Sequence, residues 1–283
     1  IRRISGGRAL EVFPSVSLEQ KPGLPEISVV STGGTIGSRV DYETGGVKWL
    51  MEPGQVFFMA PELQEMVSVR HVAVPFLVGS ENMSAFHWKE IARSVAKELN
   101  SGVSGAVVTH GTDTMHYSSA AVSFMLRSLS KPVVFTGAQR STDRGSSDAS
   151  MNLLCAAIVA GRSPIAEVCL VMHGSMEDTH CLIHRGTRVR KMHTSRRDAF
   201  RSINELPMGR VWPDGRMQID GTHAERSDSD VQLDAVFEEK VALLKFYPGM
   251  EPEIIDFLID RGCRGILIEV TALGHVATDE SQR

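Results

Sequence analysis

The stretch VVSTGGTIGSRVDYETGGV, Val29 to Val47, joins a β-branched apolar run to a cluster of small hydroxyl residues and glycines. A strand ending in Ser31-Thr32-Gly33-Gly34-Thr35 brings hydroxyls and unobstructed backbone N–H groups to its carboxyl end, the edge at which open α/β sheets build their sites. That composition leaves two uses open. The glycines can cradle a phosphate, or Thr35 can act as a nucleophile close to backbone donors.

Outward from this block, apolar runs alternate with helix-like segments. EISVVSTGG, GAVVTHG, KPVVFTG and AEVCLVMHG read as short buried strands, and VRHVAVPFLV is a further hydrophobic run. WKEIARSVAKEL, SSAAVSFMLRSL and DASMNLLCAAIVA read as the helices between them. Short apolar strands separated by helices of this length predict an α/β fold, a parallel sheet covered on both faces. Residues 198–233 are polar and rich in turn residues, with WPDG and IDG as turn centres and AERSDSD as the most solvated part. KVALLKFYPG, PEIIDFLIDRG and CRGILIEVT then give strand, helix, strand, the start of a second, smaller α/β domain. The expected division is 1–25 as a short strand and linker, 26–237 as the main domain, and 238–283 as the opening of a truncated second domain.

The totals exclude some classes of function. The chain has 283 residues, 42% of them hydrophobic, and a formal net charge of -4, so no general basic field draws it to nucleic acid or anionic lipid. No apolar run reaches the roughly 18 residues of a membrane span, and IRRISGGRAL lacks a signal-peptide core. That start reads as the torn end of something longer, and TALGHVATDESQR breaks off just after a strand. Cys155, Cys169, Cys181 and Cys263 lack the close pairing of a zinc site and read as reduced core thiols of a cytoplasmic protein. His180 and His184 are four apart around Cys181, with His173 upstream, but THCLIH reads as a strand, and no metal is expected there.

In a parallel sheet, the loops after ISVVS, VAVPFLV, AVVT and EVCLVM leave from one side. They carry TGGTIGS, GSENMS, HGTDTMH and, further out, HRGTRVRKMHTS. Together they bring Thr35, Ser80, Glu81, Thr112, Asp113 and Lys191 toward one edge. A threonine hydroxyl is a weak nucleophile and needs a base, a role open to a lysine with an adjacent carboxylate to orient it. Gly33, Gly34 and Gly111 permit close backbone approach, so N–H groups can face an oxyanion; the set points to acyl transfer. The plainer reading of Asp113 is a helix N-cap ahead of MHYSSAAV, and that of the cationic run is a solvated loop, or one that touches phosphates.

STGGTI followed by HGTDTM resembles the two signature blocks of the L-asparaginase and glutaminase family. VDYETGGV, GSENM and KPVVFTGAQRSTDRGSSDASMNLLCAA match it in order and spacing, over about Glu26 to Val276. Within that family, HGTDTMHYSSAAVSFML and SRVDYETGGV look most like the branch formed by the D subunits of archaeal glutamyl-tRNA(Gln) amidotransferases. The resemblance implies an asparaginase-like fold in which residues 1–25 end an upstream β-barrel. It implies that Thr35 forms the acyl-enzyme, that Tyr42 on a lid helps activate it, and that Thr112, Asp113 and Lys191 form a second triad. Asp113, Ser80 and Glu81 would hold the amino-acid end of the substrate, with Gly34 and Gly111 lining it.

The same resemblance implies no metal or cofactor in this chain, a homodimer, and a partner E subunit that uses ATP and Mg to amidate glutamyl-tRNA(Gln). The alternatives are a free-standing cytoplasmic asparaginase and a non-enzymatic amino-acid-binding module. The family's GTGLGH reads VTALGH here, from Val270 to His275, and so lacks two glycines.

Overall fold

The computed structural model describes residues 22–37, 39–40, 47–48 and 60–278. Tyr42 and most of the 1–25 segment lie outside the described residues. The chain divides into two compact units, residues 1–235 and 236–283.

The first unit opens with β1 (Glu26–Ser31), a 3-10 turn at Thr35–Gly37, and the short pair β2 (Arg39–Val40) and β3 (Val47–Lys48). There follow α1 (Leu63–Met66), β4 (Ser68–Ala73), a second 3-10 turn at Ser80–Asn82, α2 (Ala85–Asn100), β5 (Gly105–Thr109), α3 (Met115–Met125), β6 (Leu126–Arg127), β7 (Val133–Thr136), α4 (Ala149–Arg162) and β8 (Val168–His173). The remainder is strands: β9 (Cys181–Arg185), β10 (Val189–Lys191), β11 (Phe200–Ser202), β12 (Gly209–Val211), β13 (Met217–Ile219) and β14 (Gln232–Leu233).

Eight strands form the main sheet in the order β13-β12-β9-β8-β7-β5-β1-β4. From β4 to β8 every pairing is parallel, whereas β9, β12 and β13 add on antiparallel. The expected parallel sheet is therefore its core, with an antiparallel extension. The extension arises because β8 returns through a turn to β9 instead of crossing over by a helix. β12 and β13 form a hairpin whose turn is the WPDG stretch, closed by Trp212 N–H to Arg216 O at 2.9 Å.

β5, β7 and β8 are buried along their whole length, as strands with helices on both faces must be. One face carries α4, buried almost all round, and the other carries α2 and α3. α2 buries Ile91, Ala92, Val95, Ala96 and Leu99, the spacing of one helical face. Cys155, Cys169 and Cys181 are buried free thiols in these layers. Among the described residues, no helix is long and apolar enough to cross a membrane.

AERSDSD is exposed as its composition suggests, apart from Arg226, which is half-buried. The Arg226 guanidinium reaches the carboxyl end of α4, donating to Ser163 O, to Ala160 O at 2.9 Å and to Ser104 O at 2.5 Å. A cation there meets carbonyls left open by the helix and the negative end of its dipole. A charge count along the chain cannot reveal this, because the three acceptors lie 63, 66 and 122 residues away.

The second unit holds β15 (Val241–Lys245), α5 (Glu253–Asp260) and β16 (Gly265–Glu269), with the two strands parallel. The VTALGH segment closes a tight turn, with His275 N–H donating to Thr271 O at 2.8 Å and Thr271 Oγ1 donating to His275 O at 2.9 Å. Ala272, at one of the two positions where the family carries glycine, has φ +45°, a left-handed conformation that strains any residue with a Cβ.

Replacing Arg226 with methionine should cost about 3 kcal/mol, read as a lower urea midpoint, because three carbonyls lose their donor. Ala272→Gly should instead raise stability by roughly 1 kcal/mol, measurable by thermal denaturation.

Candidate active site

The carboxyl ends of the central strands are tied together past the ladder itself. Thr32 N–H and Oγ1–H both donate to Thr109 O, at 3.1 and 2.9 Å, Val78 N–H donates to Thr32 O at 3.1 Å, and His110 N–H to Thr136 O at 2.9 Å. The loops after β4, β1, β5 and β7 therefore leave side by side. Gly34 has φ +90°, and a Cβ built there would lie 2.4 Å from Gly111 N. A Cβ on Gly111 would in turn lie 2.7 Å from Ser80 Cβ. Three loops thus touch at glycines where no side chain fits, Gly34 against the Gly111 backbone and Gly111 against the Ser80 side chain. Thr35, half-buried, starts the 3-10 turn directly after Gly34, and Thr112, buried, directly follows Gly111.

Lys191 reaches this point from β10, held against β11 by the 189–202 hairpin. Its Nζ lies 2.8 Å from Thr112 Oγ1 and 2.6 Å from Asp113 Oδ1. The lysine side chain is 7% exposed and that of Asp113 64%, so the ion pair has one foot in the protein and one at its surface. Asp113 does not cap α3. The N-cap position is Thr114, whose hydroxyl donates to Ser80 O at 2.6 Å, leaving the Asp113 carboxylate for Lys191. Ser80 is buried and Glu81 exposed on the Ser80–Asn82 turn. The structure thus places Thr112, Asp113 and Lys191 in direct contact and sets Gly34, Gly111 and Ser80 against one another.

The loop after β7, absent from the four loops expected to build the site, also enters it. Gln139 Oε1 lies 3.3 Å from Thr112 Oγ1. Asp148, fully buried, accepts Gln139 N–H with both oxygens at 3.0 Å and Arg140 N–H at 3.0 Å. Asn152 Nδ2 donates to Asp148 and to Gly137 O, while its Oδ1 accepts the His173 backbone N–H and lies 2.6 Å from His173 Nδ1. The signal for this loop was present in the sequence, since VVFTGAQR is a fifth strand end of the same pattern.

His110 is buried, with its Nδ1 2.6 Å from Gly111 O and its Nε2 without a hydrogen-bond partner among the described residues. Burial depresses its pKa to about 4, so the ring is neutral and donates through Nδ1. His116 is lowered to about 4 by burial and then by Arg190 and Lys191, and His184 to about 3, again mainly by burial.

The other histidines are dispersed: His173 Nε2 faces Asp178, His184 Nδ1 faces Ser202, and His180 Nδ1 faces Thr179. Among the described residues, no three His, Cys, Asp or Glu side chains gather as metal ligands. The cationic run is partly neutralised, since Arg196 and Arg201 both bind Asp198 and hold its carboxyl well below the usual range. Arg197 pairs with Asp178 at 2.8 Å.

The family model described as "Asparaginase, N-terminal" matches residues 26–224. The D subunit of the glutamyl-tRNA(Gln) amidotransferase from Pyrococcus abyssi is 54% identical over 99% of this chain and 64% of its own length. Its counterpart from Methanothermobacter thermautotrophicus is 50% identical over 93% of this chain and 60% of its own. The chain thus spans less than two thirds of these relatives. The solved thermostable L-asparaginase from Thermococcus kodakarensis is similar with TM-score 0.75 at 27% identity, over 89% of this chain and 73% of that one.

The buried histidines set a pH dependence. Each has a folded-state pKa below its unfolded value, so the unfolded chain binds more protons and stability falls as pH drops below about 6.5. For His110 the loss should run to about pH 4, with a slope of up to ~1.4 kcal/mol per pH unit. Urea midpoints at pH 7 and 5 should show a smaller difference in His110→Asn than in wild type.

Proposed function

The chain belongs to the asparaginase family, and on that footing we propose that it releases ammonia from the side-chain amide of glutamine or asparagine. Thr35 Oγ attacks the carboxamide carbon, the C–N bond breaks, and ammonia leaves with the proton given up by the threonine. Water then hydrolyses the threonyl ester and frees the carboxylate. The observation that carries this reading is Lys191 Nζ bridging Thr112 Oγ1 and Asp113 Oδ1 beside the Gly34–Gly111 contact. A threonine, a lysine and a carboxylate within hydrogen-bond reach form the kind of proton-handling set that acyl transfer to a hydroxyl requires.

In this reading Asp113 has a second duty. Its carboxylate is 64% exposed on the side away from Lys191, which leaves it open to a substrate α-amino group. Ser80 and Glu81, one on each side of the buried–exposed boundary of the same turn, hold the rest of the amino-acid end. Backbone N–H groups around Gly34 and Gly111 face the oxyanion, and Tyr42 helps activate Thr35.

Two relatives at 54% and 50% identity are named as D subunits of glutamyl-tRNA(Gln) amidotransferases, which supports passing the ammonia onward rather than releasing it. On that reading this subunit needs neither metal nor nucleotide. A partner E subunit uses ATP and Mg to activate glutamate on tRNA(Gln), the ammonia completes glutaminyl-tRNA(Gln), and two copies of this subunit pair through the asparaginase-like domain.

Ammonia release from glutamine and from asparagine, measured with and without the partner subunit and charged tRNA, tests both parts. Thr35→Val should abolish release, and Lys191→Met should lower it by about 10²-fold or more while both variants stay folded by circular dichroism. Stimulation by the complex supports the amidotransferase. Full activity of the lone subunit points to a free-standing asparaginase, and tight amino-acid binding without ammonia sinks the enzyme reading altogether.

A further inference from the structure

We propose that Gln139 is a positioning residue for the reaction, holding the Thr112 hydroxyl so that its free lone pair faces the attacking group. The inference rests on the amidohydrolase reading of the same site and adds a residue from a fifth loop to it.

Held in its ion pair with the Asp113 carboxylate, Lys191 Nζ is a donor, and it lies 2.8 Å from Thr112 Oγ1. The lysine therefore occupies one of the two lone pairs of that oxygen, and the threonine's own proton must go elsewhere. Gln139 Oε1, at 3.3 Å, receives it. The opposite orientation of the Gln139 amide would aim two donors at one hydroxyl and leave its proton without this acceptor. With the proton turned to Gln139 and one lone pair taken by Lys191, Thr112 Oγ1 keeps its second lone pair for a hydrogen bond from the attacking hydroxyl. Orienting the nucleophile in this way lowers the barrier without changing how tightly substrate is held.

The main chain of Gln139 is firmly held, while its side-chain Nε2 is buried with no hydrogen-bond partner among the described residues. Its backbone N–H meets both oxygens of the buried Asp148 at 3.0 Å, and Asp148 also takes Arg140 N–H and Asn152 Nδ2. Asn152 cannot turn its amide round, because Nδ2 serves Gly137 O and Asp148 while Oδ1 accepts His173 N–H. A loop whose residue reaches the site by its side chain is thereby pinned by its main chain to α4 and β8. At 3.3 Å the Gln139–Thr112 bond is longer than the usual 2.7–2.8 Å between oxygens, which suits a contact that tightens when substrate fills the cleft.

Gln139→Met and Gln139→Glu in the intact protein separate this role from simple packing. Methionine matches the volume but accepts no proton, whereas glutamate keeps an acceptor oxygen and adds a charge. The expected result is a kcat about tenfold lower in Gln139→Met with KM within about threefold of wild type, and recovery of most of that kcat in Gln139→Glu. A packing role gives the reverse order, with methionine harmless and the partly buried charge damaging. Wild-type kcat in Gln139→Met, or a Gln139→Glu variant worse than it, overturns the proposal while leaving the amidohydrolase reading intact. No ammonia release by wild type from either amide brings down that reading, and this inference with it.

Discussion

The site depends on one close approach. Gly34 and Gly111 come so near that a methyl group on Gly34 would overlap the backbone nitrogen of Gly111, and Gly111 stands in the same relation to the Ser80 side chain. Four of the candidate groups hang from that contact: Thr35 one residue after the first glycine, Thr112 and Asp113 just after the second, Ser80 on the third wall. The Gly34–Gly111 contact tolerates little adjustment, because its partners are main-chain atoms beside a buried parallel sheet and not the ends of flexible side chains. The conformational freedom of glycine, a cost elsewhere in a strand or helix, is here what allows two hydroxyl-bearing segments 77 residues apart to meet, as the Thr32–Thr109 bond does just beneath them.

Around this contact the protein builds support in two directions. On one side the antiparallel hairpin of β10 and β11 delivers Lys191, a residue that a purely parallel sheet would leave far from the edge. On the other, a buried chain of polar groups runs from Gln139 through Asp148 and Asn152 to His173, with Asp178 and Arg197 at its outer end. Each link from the Gln139 main chain through Asp148 to Asn152 has its donor and acceptor fixed by geometry. Such networks specify a single arrangement when complete and are costly when broken. Charge placement follows the same logic at the far end of α4, where Arg226 closes a helix terminus with a side chain from a segment that reads as solvent-exposed.

Much of this was legible in the residues. The alternation of apolar strands with amphipathic helices predicts the layers, since a strand covered on both faces has no polar side to show. The paired hydroxyl-and-glycine blocks predict chemistry at one edge, since small residues at strand ends have little to do in a core. What was not legible depended on partners distant in sequence. Nothing local to QRSTDRGSSD says that Asp148 turns back to grip Gln139, nor that Asp113 leaves the cap position to Thr114 and takes Lys191 instead. The antiparallel return of β9 was equally hidden, because a buried strand reads alike in either direction.

By itself, then, the sequence determined the class of fold, the family and the residue types available for catalysis, because periodicity and small-residue motifs are properties of neighbours along the chain. Only the tertiary structure decided which of those groups touch: Lys191 with Thr112 and Asp113, Gln139 with Thr112, Arg226 with the end of α4. Hydrogen bonds act over about 3 Å, and the pairs that matter here are separated by 27 to 79 residues. No pattern within a window of the chain can encode a distance that is set by the packing of the whole sheet.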